Sequence, residues 1–202
     1  MNQSTAKLTP PHPSSTFGRF RQELHGEVYT DALSLRLYAT DASMYQIPPL
    51  VVVVPYDRAD ALRVVRLCGE LGLPVVARGG GTSLTGQSVG KAVILDVSKY
   101  LTRLLELNLD EGWVRVEPGL VCSELNALLQ PHGVQFAPDL ATANRANIGG
   151  MIANNAAGMR SIRYGMTIDH VLALDLALAT GEVLNLEPLD AEQLSAKCTL
   201  PD

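Results

Sequence analysis

The chain has 202 residues, of which 47% are hydrophobic and 18% are charged, and its formal net charge is −5. This composition predicts a folded domain with a sizeable core rather than a disordered chain. The negative charge argues against the basic stripe of nucleic-acid-binding domains, and no apolar run approaches the roughly 18 residues that span a bilayer. Three widely separated cysteines favour reduced thiols over a disulfide framework, so we expect a cytoplasmic protein.

The N-terminal residues 1–18 are rich in Pro, Ser and Thr and lack the continuous apolar core of a secretory signal. We interpret them as a disordered leader. Residues 17–38 carry mixed helical signals, and they predict one or two short helices at the start of the folded part of the chain.

A parallel β-α-β unit is predicted over residues 50–77. The β-branched run at residues 50–55 predicts a buried strand. Residues 56–71 have the apolar face of a helix, for which Asp57 is a suitable N-cap and Gly72 a stop signal. A short strand at residues 74–77 completes the unit, in which we expect parallel strands and a right-handed crossover. A further strand is predicted at residues 92–97.

The second half of the chain has a different pattern. Residues 104–119 alternate around an Asp-Glu-Gly sequence, and residues 169–188 alternate around a turn at Thr180 and Gly181, so each stretch predicts a β-hairpin. A helix is predicted between them at residues 121–130. Parallel strands followed by hairpins indicate two subdomains, which we place at residues 19–100 and 101–190, with a tail at 191–202.

The glycine loop, residues 78–87 with the sequence RGGGTSLTGQ, lies between two predicted strands and presents backbone N–H groups without obstructing side chains. Two known phosphate-binding patterns do not fit it. The dinucleotide fingerprint requires glycine where Leu84 stands, and the triphosphate loop requires lysine where Gln87 stands and a helix downstream. We interpret the loop as binding a diphosphate through neutral donors, namely backbone N–H groups and the hydroxyls of Thr82, Ser83 and Thr85. A flexible turn that binds nothing is the alternative.

Three later motifs accompany this loop, in the order VEPG, PDLATANRANIGG and RYGMTIDHV. With the loop they resemble the FAD-binding domain of the FAD-linked oxidase family, the vanillyl-alcohol oxidase or PCMH type. The likeness covers about residues 22–189 and points to the D-lactate, glycolate and D-2-hydroxyglutarate dehydrogenase branch, including its long iron–sulfur fusions. It implies an α+β fold, a PCMH-type FAD-binding fold of two α/β subdomains, the first with a parallel β-α-β unit and the second mainly antiparallel with flanking helices.

The resemblance also implies which residues contact FAD. The pyrophosphate would lie on the glycine loop, at Gly79, Gly80, Gly81, Thr82, Ser83, Leu84, Thr85, Gly86 and Gln87. The other cofactor-binding residues that it implies are Pro118, Gly119, Pro138, Asp139, Ala143, Asn144, Ile148, Gly149, Gly150, Ala153, Asn154, Gly158, Tyr164, Gly165 and Val183. Members that bind flavin covalently place a histidine near the positions of Thr82 and Ser83, so we expect non-covalent FAD here.

The reaction that the resemblance implies is oxidation of a D-2-hydroxy acid to the 2-oxo acid. In this branch the substrate-binding residues lie largely in a cap domain, which we expect to follow residue 202, so no catalytic residue is assigned. The implied partners are a small 2-hydroxy acid, an iron–sulfur domain or subunit as electron acceptor, and a second copy of the chain bound through the exposed cap-facing surface. A non-catalytic or partner-dependent FAD-binding module is the alternative function.

Metal binding is not predicted, because the histidines of the chain have no ligand spacing among them. His170 is interpreted as a structural or exposed residue at the start of a strand. Cys122 stands near a predicted helix N-terminus, where a thiol pKa can be lowered, but we interpret it as a small residue on the core side of that helix.

Overall fold

The computed structural model describes residues 17–199 of the protein. The leader predicted at residues 1–18 therefore lies almost entirely outside the described residues, as does the end of the predicted tail. The described chain begins with three short elements, α1 (Gly18–Glu23), β1 (Glu27–Tyr29) and α2 (Ala32–Leu37). The prediction of one or two short helices here is confirmed only in part, because a strand separates the two helices.

A four-stranded sheet forms the centre of the first half. It contains β1, β2 (Val51–Val54), β3 (Val75–Arg78) and β4 (Val93–Asp96), in the spatial order β1-β2-β4-β3. Strands β2 and β3 both pair with β4 in parallel, whereas β1 pairs with β2 in the antiparallel sense. The predicted parallel β-α-β unit is confirmed, with β4 inserted between its two strands.

Helix α3 (Arg58–Leu71) connects β2 to β3. The side chain of Asp57 accepts a hydrogen bond from the backbone N–H of Asp60, and Gly72 ends the helix in the left-handed conformation, so both predicted boundary signals are confirmed. The buried face of the helix, with Val64 and Leu67, belongs to one apolar cluster with the strands β2 and β4. These strands are buried along their whole length, which explains their lack of apolar–polar alternation.

The second half contains the predicted hairpins and helix. Its elements are β5 (Leu104–Asn108), β6 (Trp113–Val116), α4 (Cys122–Leu129), α5 (Ile148–Ala153), α6 (Ser161–Tyr164), β7 (Leu174–Ala177), β8 (Val183–Leu186) and α7 (Ala191–Cys198). The two hairpins are antiparallel pairs, β5 with β6 and β7 with β8. A second apolar cluster joins α4 to α5 and includes Cys122. Cys122 is fully buried in this cluster, so its interpretation as a core residue is confirmed, and burial raises the pKa of its thiol.

The second hairpin lies against helix α3 of the first half. The guanidinium Nε of Arg66 donates a hydrogen bond to the carbonyl oxygen of Gly181 at 3.2 Å, and Arg58 forms an ion pair with Asp175 at 3.2 Å.

The prediction for His170 was wrong in one respect, because the residue lies in a 3₁₀ turn (Thr167–His170) and not in a strand. The carboxylate of Asp169 accepts the backbone N–H of Met166 and so stabilises that turn.

Candidate functional site

The glycine loop leaves the sheet at the end of its edge strand, β3, and returns to it in the neighbouring strand, β4. Among the residues that the structure describes, four consecutive backbone N–H groups of this loop have no acceptor: those of Gly81, Thr82, Ser83 and Leu84. Gly81 has a positive φ of 65°, which an L-residue with a side chain rarely adopts. Successive unpaired N–H groups of this kind form an anion-binding concavity.

The first two glycines of the loop pack against the segment that precedes α5. A Cβ atom added to Gly79 would lie 2.3 Å from the side-chain oxygen of Asn147, and one added to Gly80 would lie 2.2 Å from the carbonyl oxygen of Arg145. Both distances are shorter than any real contact. Glycine is therefore required here because two parts of the chain approach each other closely, independently of any ligand.

The N-terminal strap, which we define as residues 38–45, runs along the other side of the glycine loop. The guanidinium of Arg78 donates hydrogen bonds to the carbonyl oxygens of Tyr38, Thr40 and Ser88, at 3.3, 2.8 and 3.2 Å. The backbone N–H of Ala42 donates to the carbonyl oxygen of Gly81 at 3.0 Å. These bonds fix the course of the loop and place the positive charge of Arg78 beneath it.

A carboxylate of the strap adds a second connection to the loop. The oxygens of Asp41 accept hydrogen bonds from the hydroxyl and N–H of Ser43 and from the hydroxyl of Ser88, the last at 2.9 Å. Burial alone would raise the pKa of the Asp41 carboxyl, but these hydrogen bonds outweigh it and lower the pKa. Asp41 is therefore ionised at neutral pH, and both of its carboxylate oxygens accept hydrogen bonds from neighbouring serines.

The VEPG turn and the start of α5 are in direct contact. The N–H of Gly149 donates to the carbonyl oxygen of Pro118 at 2.8 Å, and a Cβ atom added to Gly149 would lie 2.6 Å from the Cβ of Pro118. The neighbouring N–H of Ile148 donates to the carbonyl oxygen of Leu120 at 2.9 Å. The structure thus brings together residues that the sequence places about thirty positions apart.

The PD segment, which we define as residues 138–144, packs against the chain that follows α5. A Cβ atom added to Gly158 would lie 1.5 Å from the carbonyl oxygen of Asp139, and Arg160 forms an exposed ion pair with the Asp139 carboxylate at 3.2 Å. Ala143 accepts the N–H of Ser123 at 2.9 Å. This segment is therefore attached to both α4 and the residues after α5.

The remaining predicted site residues lie in other positions. Asn144, Gly150, Ala153 and Asn154 are exposed. Tyr164 ends α6, and its carbonyl oxygen lies 2.7 Å from Nε2 of His170. Val183 lies on β8 opposite Ala177, and no hydrogen bond within residues 17–199 joins its hairpin to the glycine loop.

Three residues of this region were missed by the sequence analysis: Arg78, Asp41 and Asn147. Arg78 had a recognisable signal, since a cation directly before three glycines is well placed to hold a loop by its five donors. Asn147 had a weaker signal, as a polar residue at the N-cap position of α5. Asp41 had none that distinguishes it from an ordinary loop residue.

The glycine loop offers neutral hydrogen-bond donors of the kind that an anion such as a diphosphate can use. The backbone N–H groups of residues 81–84 have no acceptor within the described residues, and the hydroxyls of Thr82 and Ser83 lie in the same stretch, so all of these donors are uncharged. The guanidinium of Arg78, which lies against Gly81, already donates to three carbonyl oxygens. Within the described residues no cluster of three or more His, Cys, Asp or Glu side chains is arranged for a metal ion.

Comparison with known proteins agrees with this geometry. The model of the FAD binding domain family matches residues 49–187. The chain belongs to this family. The match begins just before β2 and ends just after β8, so it includes the glycine loop and all three later motifs of the FAD-binding domain. FAD is therefore the cofactor of this fold, and the sequence-based predictions of family, fold class and cofactor are confirmed.

Individual relatives in the family are dehydrogenases and oxidases. The chain is 41% identical to the D-2-hydroxyglutarate dehydrogenase of Pseudomonas putida, over 97% of the chain and 20% of that protein. It is 31% identical to the glycolate oxidase subunit GlcD of Bacillus subtilis, over 78% of the chain and 34% of that subunit. The chain thus spans about a fifth to a third of the length of these relatives.

A solved structure supports the fold of the FAD-binding domain. Alkyldihydroxyacetonephosphate synthase superposes with a TM-score of 0.79 at 18% identity, over 93% of this chain and 38% of that one. At this identity the likeness establishes the fold alone. Helices long and apolar enough to cross a membrane do not occur between residues 17 and 199.

Proposed function

We propose that this chain is the FAD-binding part of a flavin-dependent dehydrogenase that oxidises a D-2-hydroxy acid to the 2-oxo acid. The observation that carries the proposal is the row of four unpaired N–H groups at residues 81–84 within a chain of the FAD binding domain family. The 41% identity to a D-2-hydroxyglutarate dehydrogenase favours D-2-hydroxyglutarate over lactate or glycolate as the substrate. FAD, when bound, supplies the two-electron acceptor for the hydrogen on C2 of the acid.

The residues predicted from sequence receive distinct roles in this proposal. The N–H groups of residues 81–84 hold the diphosphate, and Thr85, Gly86 and Gln87 extend the loop. Pro118 and Gly119, with Gly149 and Gly150, form the surface beside the flavin, because these two segments touch each other. The PD segment, Asn154 and Tyr164 border the cofactor on the side of α5 and α6, and Val183 is a weaker candidate near the adenine.

The proposed partners follow from the proposed dehydrogenase function. The substrate is a small 2-hydroxy acid that reaches the flavin through a cap domain, and an iron–sulfur domain or subunit accepts the electrons. Contact with a cap or a second copy would cover apolar side chains of α6 and its surroundings, of which Met159, Ile162 and Ile168 are 96%, 101% and 64% exposed. We place the reaction in the cytoplasm.

A chimeric enzyme tests the proposal. Residues 49–187 of this chain replace the matching segment of the Pseudomonas putida D-2-hydroxyglutarate dehydrogenase, and the chimera is assayed for bound flavin and for reduction of a dye by D-2-hydroxyglutarate. We expect retained FAD and measurable turnover. A chimera that is folded and soluble but contains no flavin would contradict the cofactor role, and one that holds flavin but does not reduce the dye with D-2-hydroxyglutarate would contradict the role of this chain in such a dehydrogenase.

A further inference from the structure

Asn147 is a buried polar residue with an unusual pair of partners. It precedes α5 in the N-cap position, yet its side chain makes no capping bond to that helix. Instead, its Oδ1 accepts the backbone N–H of Gly80 in the glycine loop, and its Nδ2 donates to the carbonyl oxygen of Gly119 in the VEPG turn. Only 3% of the residue is exposed. One side chain therefore connects three segments of the candidate site.

Both hydrogen bonds use backbone groups that differ in their surroundings. Gly119 is buried, so its carbonyl oxygen needs a partner inside the protein. Gly80 is exposed, and its N–H would otherwise be available to a ligand beside those of residues 81–84. Because Asn147 occupies this N–H, Gly80 contributes no donor to the diphosphate, and the row of free donors begins at Gly81.

We propose that Asn147 is a positioning residue for the cofactor: it fixes the glycine loop to the VEPG turn so that the free N–H groups of residues 81–84 face a diphosphate. This role rests on the proposed FAD-binding function. Three consecutive glycines have more backbone freedom than other residues, and ordering them on binding costs affinity. A bond at the second glycine removes that cost in advance and leaves the donors that follow it unpaired.

The shape of the side chain explains why asparagine is needed. The amide of Asn147 offers an acceptor for Gly80 and a donor for Gly119 from one short planar group. In Asn147→Asp the donor is replaced by an oxygen that repels the Gly119 carbonyl, and a negative charge is placed beside the diphosphate. In Asn147→Ser an acceptor for Gly80 can persist while the bond to Gly119 is lost.

The test compares Asn147→Ala with Asn126→Ala in the full 202-residue chain. Asn126 is a matched control, because its side chain also accepts and donates backbone hydrogen bonds, both with Phe136, at 2.7 and 3.2 Å. We expect both variants to melt at lower temperature without FAD. Only Asn147→Ala should weaken FAD binding, measured by flavin fluorescence, by about 10- to 100-fold, and Asn147→Asp should weaken it further.

Amide hydrogen exchange of the FAD-free chain tests the hydrogen bond between Asn147 and Gly80 separately from cofactor binding. The Gly80 N–H should be protected in the parent chain and in Asn126→Ala, and should exchange faster in Asn147→Ala or, if that variant does not fold, in Asn147→Leu, which keeps a similar side-chain volume but offers no acceptor. Equal FAD affinities for folded Asn147 and Asn126 variants, or an unprotected Gly80 N–H in the parent, would overturn the inference. A parent chain that takes up no FAD while Gly80 is protected would contradict the proposed function and the expected effect of Asn147 on FAD affinity. It would leave standing the structural role of Asn147, which joins the glycine loop to the VEPG turn.

Discussion

The sheet of the first half and the candidate site, which draws on both halves of the chain, are built in different ways. In the sheet, β2 and β4 meet α3 through large apolar side chains, among them Val53, Leu67 and Val93, all fully buried. In the site, the VEPG turn, the start of α5 and the glycine loop approach backbone to backbone, with glycine at the contacts. The sheet is stabilised by apolar surface that is removed from water. The close contacts of the site are possible only because glycine has no side chain.

This difference predicts opposite responses to substitution. Removing atoms should be most harmful in the sheet, because a cavity remains there. Adding atoms should be most harmful in the site, because the contacts leave no space. Four predictions test the comparison, from the largest expected effect to the smallest.

The largest effect is expected for Leu67→Ala in α3. The side chain is fully buried between helix and sheet, so its truncation should lower the free energy of unfolding by about 2–5 kcal/mol. Leu33→Ala is the control, since Leu33 is 71% exposed on α2, and it should change stability by less than about 0.5 kcal/mol. Urea unfolding measures both. Similar values for the two variants would show that the sheet is not the main source of stability.

The next prediction adds one methyl group to adjacent glycines of α5. In Gly149→Ala the new Cβ meets Pro118, and the free energy of unfolding should fall by about 1–3 kcal/mol. In Gly150→Ala the Cβ meets no described atom within 4 Å, so helix propensity should dominate and stabilise the chain by up to about 1 kcal/mol. Thermal melts of the two variants measure both changes in stability. The account fails for this region if both substitutions act in the same direction by the same amount.

Arg78→Lys tests the attachment of the strap to the glycine loop. Lysine keeps the charge but lacks the planar fork that reaches three carbonyl oxygens. We expect a loss of about 1–2 kcal/mol in the free energy of unfolding and weaker FAD binding. Arg115→Lys serves as the control because Arg115 is exposed on β6. An Arg78 variant indistinguishable from this control in both assays would mean that the strap does not hold the loop.

The smallest effect concerns the pH dependence of the first half. Hydrogen bonds from Lys99, then Tyr100 and Tyr29, lower the pKa of the Glu27 carboxyl to about 2 from its usual 4.5. A lowered folded-state pKa contributes stability that is present above the unfolded value and is lost as the pH falls from about 4.5 towards 2. The stability difference between the parent chain and Glu27→Gln should therefore be larger near about pH 6 than near about pH 3. Urea midpoints at both values measure it, and a constant difference would refute the assignment.

Much of the fold could be predicted from sequence because its signals are local. The valine run of β2, the cap at Asp57 and the stop at Gly72 each act within a few residues. The insertion of β4 between β2 and β3 could not be predicted in this way, since strand order depends on long-range pairing. The short strand β1 was missed because it is only three residues long and lies between two helices.

The candidate site was predictable in composition but not in its connections. The glycines marked close approach, yet the sequence did not indicate whether a ligand or the chain itself comes close. Gly79 and Gly80 face Arg145 and Asn147, which requires knowing that residues about seventy positions apart are neighbours. For the same reason the bonds of Asn147 to two backbone segments had no signal beyond its place before the IGG motif.

The central claim is that the free N–H groups of the glycine loop bind the diphosphate of FAD, and one titration tests it most directly. The purified chain is mixed with FAD, ADP or riboflavin, and its melting temperature is followed, because a ligand that binds only the folded state raises it. The account predicts a clear rise with FAD, a smaller rise with ADP, and little change with riboflavin, which has no phosphate. No rise with any of the three, or an equal rise with riboflavin and FAD, would contradict it.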